Sequence, residues 1–134
     1  MNSIVIPGDI YREMIHHAKQ GAPEEVCGIL AGDGKVVNTI YKMTNTEHSP
    51  VSYFMDPKEQ FQVLKDMRGK GLKMMSIYHS HPEAQAYPSA KDVSLAFYDD
   101  VVYIIISLLG AEPLVKGFTI KDKKVDEVEV IVRK

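Results

Sequence analysis

The sequence has little of what marks secreted, membrane-spanning or nucleic-acid-binding proteins. Its 134 residues include one cysteine, Cys27, so no disulfide can form within the chain, as fits a reducing compartment. The net charge is −2 and the basic residues are scattered, which predicts no nucleic-acid or membrane surface. The longest apolar run, residues 101–110, is too short to span a bilayer, and residues 1–14 lack signal-peptide character. We therefore expect a cytoplasmic protein.

The composition is that of an ordinary globular protein, with 45% hydrophobic and 25% charged residues. No internal repeat, low-complexity segment or Gly/Ser/Pro-rich linker divides the chain. We therefore expect residues 1–134 to form a single domain.

Hydrophobic periodicity predicts short strands interleaved with about three helices, a pattern typical of an α/β or α+β sandwich. Val and Ile dominate residues 101–109, which indicates a buried central strand. The second helix should begin at the N-cap Asp56 and bury Phe61, Leu64 and Met67. Strands are predicted at 3–7, 26–31, 35–43, 53–55, 72–81, 101–109, 113–121 and 124–132, and helices at 8–20, 57–70 and 89–98.

Four polar residues in the segment YHSHPEAQAYPSAKD have the spacing of a catalytic metal site. His79 and His81 lie at i and i+2 of a predicted strand, so their side chains point to the same face. Asp92 lies in the first turn of the next predicted helix, which Ser89 opens. Two imidazoles and a carboxylate are a ligand set that zinc accepts in catalytic sites, with one position left for water.

Each of these residues also has a purely structural explanation. Ser89 and Asp92 match an S-x-x-D capping box, and histidines near a strand end are commonly surface or core residues. The complete pattern, H-x-H-x7-S-x2-D, has a chance frequency on the order of 10⁻⁴ in a chain of this length. The set therefore favours a metal site, and a capped helix is a suitable mount for a ligand.

The same segment resembles the JAMM (MPN+) metalloprotease motif, H-S-H-P followed by S-x-x-D. The family pairs this motif with a glutamate ahead of a Cys-Gly strand, which here is Glu25 in EEVCGILAG. The segment NTEHSPVSYFMDP is also similar to the family, so the resemblance covers residues 24–100. It implies a cytidine-deaminase-like JAMM/MPN fold, with a mixed central sheet flanked by about three helices.

The resemblance also implies roles for these residues. One zinc ion per chain would be bound by His79, His81 and Asp92 and would activate a water molecule. Glu25 would accept the proton of that water, and Ser89 would donate a hydrogen bond to the developing oxyanion. Glu24 competes for the role of base, but adjacent strand residues face opposite sides and the family's spacing selects Glu25.

The remaining cysteine and histidines are predicted to be outside the chemistry. Cys27 could be a nucleophile, but a single cysteine among Val and Ile residues is more often a small buried hydrophobe. His16, His17 and His48 have no carboxylate at ligand spacing, and we expect them on the surface.

Several functions are compatible with this motif. The one that we favour is an isopeptidase or peptidase acting on the C-terminal Gly-Gly tail of a ubiquitin-like or sulfur-carrier protein, because 134 residues leave little room for inserted substrate-binding segments. A deubiquitinase-like isopeptidase, an amidase acting on a free metabolite and a non-catalytic scaffold remain as alternatives. The complete motif argues against a scaffold. The sequence leaves open whether the chain forms a homodimer.

Overall fold

The computed structural model describes residues 2–134, and within this range a seven-stranded sheet is combined with three helices. The elements in chain order are β1 (Ser3–Pro7), α1 (Gly8–Gly21), β2 (Cys27–Gly32), β3 (Val37–Met43), α2 (Pro57–Gly69), β4 (Lys73–His81), α3 (Ala90–Ser94), β5 (Val102–Ser107), β6 (Leu114–Lys121) and β7 (Lys124–Arg133).

The sheet is mixed, and its strand order is β1-β7-β6-β5-β4-β2-β3. The pairs β1–β7 and β4–β5 are parallel, and the other neighbours are antiparallel. Strand β5 is the middle strand, and all six of its residues are buried. The predicted central strand and the predicted mixed sheet with about three helices are therefore confirmed.

Apolar side chains cover both faces of the sheet. On one face, Met14 of α1 packs in a cluster that includes Tyr78 of β4. On the other face, Met67 of α2 packs with Ile77 of β4, and Val93 of α3 joins the same cluster. Because side chains alternate along a strand, His79 shares the α2 face with Ile77. The strand pattern thus directs the histidine pair to the side of the sheet where α3 lies.

The start of β2 lies beside the end of β4. Cys27 pairs with His79 in the antiparallel register, and Gly28 pairs with Tyr78. A Cβ atom at Gly28 would lie 2.2 Å from the Tyr78 ring, so this close approach requires glycine. The register brings the segment just before β2, which contains Glu25, to the end of β4 where the two histidines lie.

Three predictions about local structure were wrong. Residues 53–55 form no strand, because the Phe54 N–H donates to the Asn45 side chain and only an isolated Asn45–Met55 bridge forms. The third helix ends at Ser94 rather than near residue 98. Phe61 is 65% exposed, since on α2 it lies about 120° around the helix from the buried Met67.

The other predicted boundaries differ from the observed ones by a few residues. Asp56 caps α2 by accepting a hydrogen bond from the Lys58 N–H, as predicted. The hairpin between β6 and β7 turns at Asp122 and Lys123, which both have positive φ. Among residues 2–134, no helix combines the length and the apolar composition needed to cross a membrane.

Candidate metal centre

Strand β4 ends with two buried histidines whose rings converge. His79 and His81 are 1% and 4% exposed, and their Nε2 atoms are 3.1 Å apart. The parallel pairing with β5 continues to His81, which lies opposite Ser107, and Pro82 then follows. Pairing on both sides makes the end of β4 a rigid mount for the two imidazoles.

Helix α3 brings a carboxylate to the same point. Ser89 Oγ accepts a hydrogen bond from the Asp92 N–H at 3.1 Å, and Asp92 Oδ2 accepts one from the Ser89 N–H at 2.9 Å. This reciprocal capping box fixes the Asp92 side chain in the first turn of the helix. The same Oδ2 atom lies 3.1 Å from Nε2 of His79 and 3.1 Å from Nε2 of His81.

The three side-chain atoms form a triangle whose edges suit one metal ion. Ligand atoms at 2.0–2.1 Å from a tetrahedral zinc ion are roughly 3.3 Å apart, close to the three 3.1 Å edges observed here. One ligand atom from each of these three residues lies within 4.8 Å of the other two. Two imidazoles and one carboxylate fit zinc and leave one coordination position for water or substrate.

The hydrogen bonds of His81 also fit a metal ligand. Its Nδ1–H donates to the Gln85 carbonyl oxygen at 2.7 Å, so in the neutral ring Nε2 carries a lone pair. Burial would lower the pKa of His81, but the hydrogen bond to the Asp92 carboxylate, 3.1 Å from Nε2, outweighs this effect and raises it. A metal ion bound at Nε2 would displace this proton. Burial lowers the pKa of His79, so the neutral, metal-binding form is favoured for that ring.

Asp92 is ionised despite its burial. Burial alone would raise the pKa of its carboxyl group, but hydrogen bonds from His79 and His81 outweigh this effect and hold the pKa well below its usual range. The carboxylate form is the one that binds metal ions. Asp92 is therefore in the protonation state that a cation requires.

Glu25 lies inside this site, whereas Glu24 does not. Glu25 is 4% exposed, and the charges of His81 and Asp92 both act on its carboxyl group. Burial raises the pKa of Glu25 to about 8, although His81 opposes the change. Glu24 points outward and contacts the exposed His48, with 3.3 Å between Oε1 and Nδ1. The two glutamates therefore point to different surroundings, as the sequence analysis expected.

The main chain next to Glu25 is attached to β4 by a residue that the sequence analysis passed over. Ser80, between the two histidines, accepts a hydrogen bond from the Val26 N–H through its Oγ atom at 2.8 Å. Its own N–H donates to the Val26 carbonyl oxygen at 3.0 Å. Because Ser80 lies between two histidines that face the site, its own side chain points to the opposite face, where it is fully buried. A buried polar side chain needs a hydrogen-bond partner, and this was the signal that the sequence offered.

Tyr53 is the second contributor without a role in the sequence analysis. Its ring stacks on the His79 imidazole, with 4.6 Å between the centroids. Tyr53 also lines a cavity of about 90 Å³, partly open to solvent, whose wall includes Asp92. The wall of this cavity is mostly apolar and includes Phe54, Leu95 and Phe97. An apolar cavity therefore lies next to Asp92, one of the three convergent side chains.

The residues that were predicted to lie outside the chemistry occupy other environments. Cys27 is fully buried, and burial raises the pKa of its thiol to about 12, which disfavours a thiolate nucleophile. His16 and His48 are exposed, as predicted. The prediction for His17 was wrong, because this residue is partly buried and its Nδ1 lies 2.7 Å from the Tyr78 hydroxyl on the α1 face.

Comparisons with known proteins agree with this geometry. Residues 7–121 match the family model for prokaryotic homologues of the JAB domain. A CysO-cysteine peptidase from Mycobacterium tuberculosis is 39% identical over 106 residues, which is 78% of this chain and 73% of that protein. A desampylase from Haloferax volcanii is 36% identical over 109 residues, which is 76% of this chain and 78% of that protein.

A solved structure is also similar over nearly the whole chain. The solution structure of a protein from Desulfitobacterium hafniense is 42% identical and has a TM-score of 0.89. The similarity covers 98% of this chain and 93% of that one. The fold and the family predicted from the motif are both supported by these matches.

Proposed function

The chain belongs to the family of prokaryotic homologues of the JAB domain, as its motif predicted, and on that basis we propose that it is a zinc-dependent peptidase. Its proposed substrate is a ubiquitin-like or sulfur-carrier protein with a C-terminal Gly-Gly tail. The bond broken is the amide that joins the last glycine to a further group. The names of two relatives, CysO-cysteine peptidase and desampylase, support this class of substrate.

The observation that carries the proposal is the triangle of His79, His81 and Asp92 with the buried Glu25 beside it. We propose the three as the zinc ligands. A zinc ion at this position would supply a Lewis acid for the scissile carbonyl and lower the pKa of water to about 7. The single domain would thus hold all the groups that the hydrolysis needs.

Glu25 is proposed to move the protons of the reaction. Its carboxylate accepts a proton from the attacking water and delivers it to the nitrogen of the leaving amine. The water oxygen joins the carbonyl carbon of the terminal glycine as the C–N bond breaks. The products are the free carrier carboxylate and a free amine, and Glu25 returns to its starting state.

Ser89 is proposed to stabilise the oxyanion that forms on the carbonyl oxygen. Its Oγ atom accepts the Asp92 N–H, and this bond leaves the hydroxyl proton free to donate. Because the capping box holds Ser89 in place, the donor is in position before the substrate arrives. The same hydroxyl therefore serves both the helix and the reaction.

The preferred leaving group is proposed to be a single amino acid such as cysteine. The site is bordered by the connection between β3 and α2, which supplies Tyr53, and by residues 82–88, which supply Gln85. A glycine tail can enter a narrow cleft in extended form because it has no side chains to clash. An isopeptide between two folded proteins would need additional binding surface for the second protein.

The test compares two conjugates by mass spectrometry. One is a Gly-Gly-tailed sulfur carrier with cysteine on its C-terminus, and the other is lysine-linked diubiquitin. Zinc-loaded protein should release cysteine from the carrier and cut diubiquitin far more slowly, and Glu25→Gln should cut neither. Efficient diubiquitin cleavage without action on the carrier would indicate a deubiquitinase-like isopeptidase. Failure with both would favour a metabolite amidase or a scaffold.

A further inference from the structure

Asn45 is a buried polar residue, 8% exposed, that the proposed chemistry does not use. Its side-chain Nδ2 donates hydrogen bonds to the carbonyl oxygens of Glu25 at 2.9 Å and Ser52 at 3.0 Å. Its Oδ1 accepts from the N–H groups of Glu47 at 3.0 Å and Phe54 at 3.2 Å. An asparagine amide has two donor protons and two acceptor lone pairs, so every one of them is used.

One of these four bonds reaches the proposed general base. The Glu25 carbonyl accepts from Asn45, and the Glu25 N–H donates to the Ser49 carbonyl oxygen at 2.8 Å. The connection between β3 and α2 thus holds the Glu25 main chain on both sides.

The carboxylate of Glu25 lacks a comparable anchor of its own. Its Oε1 atom is buried and has no hydrogen-bond partner in the described part of the chain. The position of the carboxylate therefore depends on the Glu25 main chain, and Asn45 is the side chain that donates to the Glu25 carbonyl oxygen.

We propose that Asn45 is a positioning residue for Glu25, an inference that rests on the proposed function. Its amide keeps the Glu25 carboxylate at the distance and angle that proton transfer needs. Displacement of a catalytic group by about 1 Å can cost on the order of 100-fold in rate. Loss of a supporting hydrogen bond commonly costs about 10–100-fold.

The competing explanation is that Asn45 only stabilises the connection that follows β3. Asn45→Asp separates the two explanations. The new side chain keeps an oxygen to accept from Glu47 and Phe54, but it loses both donors to Glu25 and Ser52. A carboxylate oxygen then faces the Glu25 carbonyl oxygen and repels it. The acceptor for the Glu47 and Phe54 N–H groups is kept, whereas the bond to Glu25 and the bond to Ser52 within the connection are both lost.

Thr46→Val is the matched control. The Thr46 hydroxyl donates to the Phe54 carbonyl oxygen at 3.0 Å within the same connection, and no hydrogen bond joins it to Glu25 within residues 2–134. This variant therefore loses a hydrogen bond of the connection without touching the base.

The experiment measures kcat, KM, zinc content and the thermal midpoint for the wild type and both variants, with the substrate that the wild type cleaves. Asn45→Asp should lower kcat by about 10–100-fold, with KM within about threefold and full zinc content. Thr46→Val should keep the wild-type kcat. Should Asn45→Asp not fold, Asn45→Ser is measured instead, because its smaller side chain leaves room for water in the connection.

Three results would overturn the inference: an unchanged kcat in the Asn45 variant, an equal loss of kcat in Thr46→Val, or a loss explained by missing zinc. Glu25→Gln, measured in parallel, keeps the two proposals apart. If Glu25→Gln is inactive and the Asn45 variant is fully active, only the positioning role of Asn45 fails. If Glu25→Gln is fully active, the proposed function itself fails and the inference fails with it.

Discussion

The ring of Tyr53 lies against the imidazole of His79, with 4.6 Å between the centroids and 28° between the planes. In many metal sites a hydrogen bond to the second ring nitrogen orients the histidine ligand, and here the stacked Tyr53 ring contacts His79 instead. Nδ1 of His79 is buried and has no partner within residues 2–134, whereas Nδ1 of His81 donates to the Gln85 carbonyl. The two proposed ligands are thus held by different means, one by packing and one by a hydrogen bond.

Tyr53→Ala should therefore weaken zinc binding by about 10-fold or more, the usual cost of losing a group that orients a ligand. Tyr53→Phe should bind zinc like the wild type, because it keeps the stacked ring. Competition against a chromogenic chelator measures both affinities. Equal affinities for Tyr53→Ala and the wild type would show that the strand alone orients His79.

Simultaneous replacement of His79 and His81 by alanine should abolish zinc binding. One carboxylate cannot hold the ion after two of three protein ligands are lost. Elemental analysis should find about one zinc per wild-type chain and none in the variant. His48→Ala is the control, since this histidine is exposed and paired with Glu24. Full zinc occupancy in the double variant would contradict the proposed assignment of the zinc ligands.

Glu25→Gln should retain zinc and lose turnover, because an amide cannot accept a proton from water. Glu24→Gln should be nearly silent, because Glu24 points away from the site toward His48. Single-turnover assays on both variants, each with its zinc content measured, make the comparison. An inactive Glu24→Gln with an active Glu25→Gln would reverse the assignment.

Ser89→Ala should keep the metal and lose roughly 10²–10³ in kcat, the usual cost of one oxyanion donor. It should also lower the free energy of unfolding by about 1 kcal/mol, because the Asp92 N–H loses its capping partner. Steady-state kinetics and thermal unfolding separate the two effects. A lower thermal midpoint with unchanged kcat would mean that Ser89 only caps α3.

The metal-free protein should be less stable at alkaline pH because of Glu25. Burial raises the pKa of this carboxyl group from 4.5 to about 8, so the folded state binds more protons than the unfolded state between these values. Its contribution to stability is greatest below pH 4.5 and is lost as the pH rises through about 8.

Glu25→Gln should therefore stabilise the metal-free protein relative to the wild type by about 5 kcal/mol at pH 9 and by little at pH 4.5. Chemical denaturation after chelator treatment measures the difference, with Glu24→Gln as the exposed control. A constant difference between the two pH values would contradict the assigned pKa.

Much of the secondary structure followed from local chemistry. Strand β5 is a run of Val, Tyr and Ile, and such a run is stable only when both of its faces are covered. Asp56 and Pro57 specified the start of α2 through a cap and a residue without an N–H. The prediction for Phe61 was wrong because the sequence gives α2 a wide apolar face. Packing against the sheet determines which part of that face is buried.

The candidate site could be found in the sequence because its members are close in the chain or belong to a specific motif. His79 and His81 share a face through the twofold period of a strand, and Ser89 with Asp92 form a cap through the geometry of a helical turn. Glu25 came from the resemblance. The selection of Glu25 over Glu24 rested on the family's spacing, and their burial and contacts were not visible in the sequence.

The sequence by itself therefore determined most of the local units: the strands other than the one expected at residues 53–55, where α2 starts, and which two histidines point the same way. The tertiary structure alone decided that the Asp92 carboxylate meets both imidazoles at 3.1 Å. It also decided that Tyr53 stacks on His79 and that Asn45 holds the main chain of Glu25. The physical reason is that local rules act through the backbone over a few residues. Contacts between residues 11 to 26 positions apart depend on how the strands and loops pack, and no short-range periodicity encodes that packing.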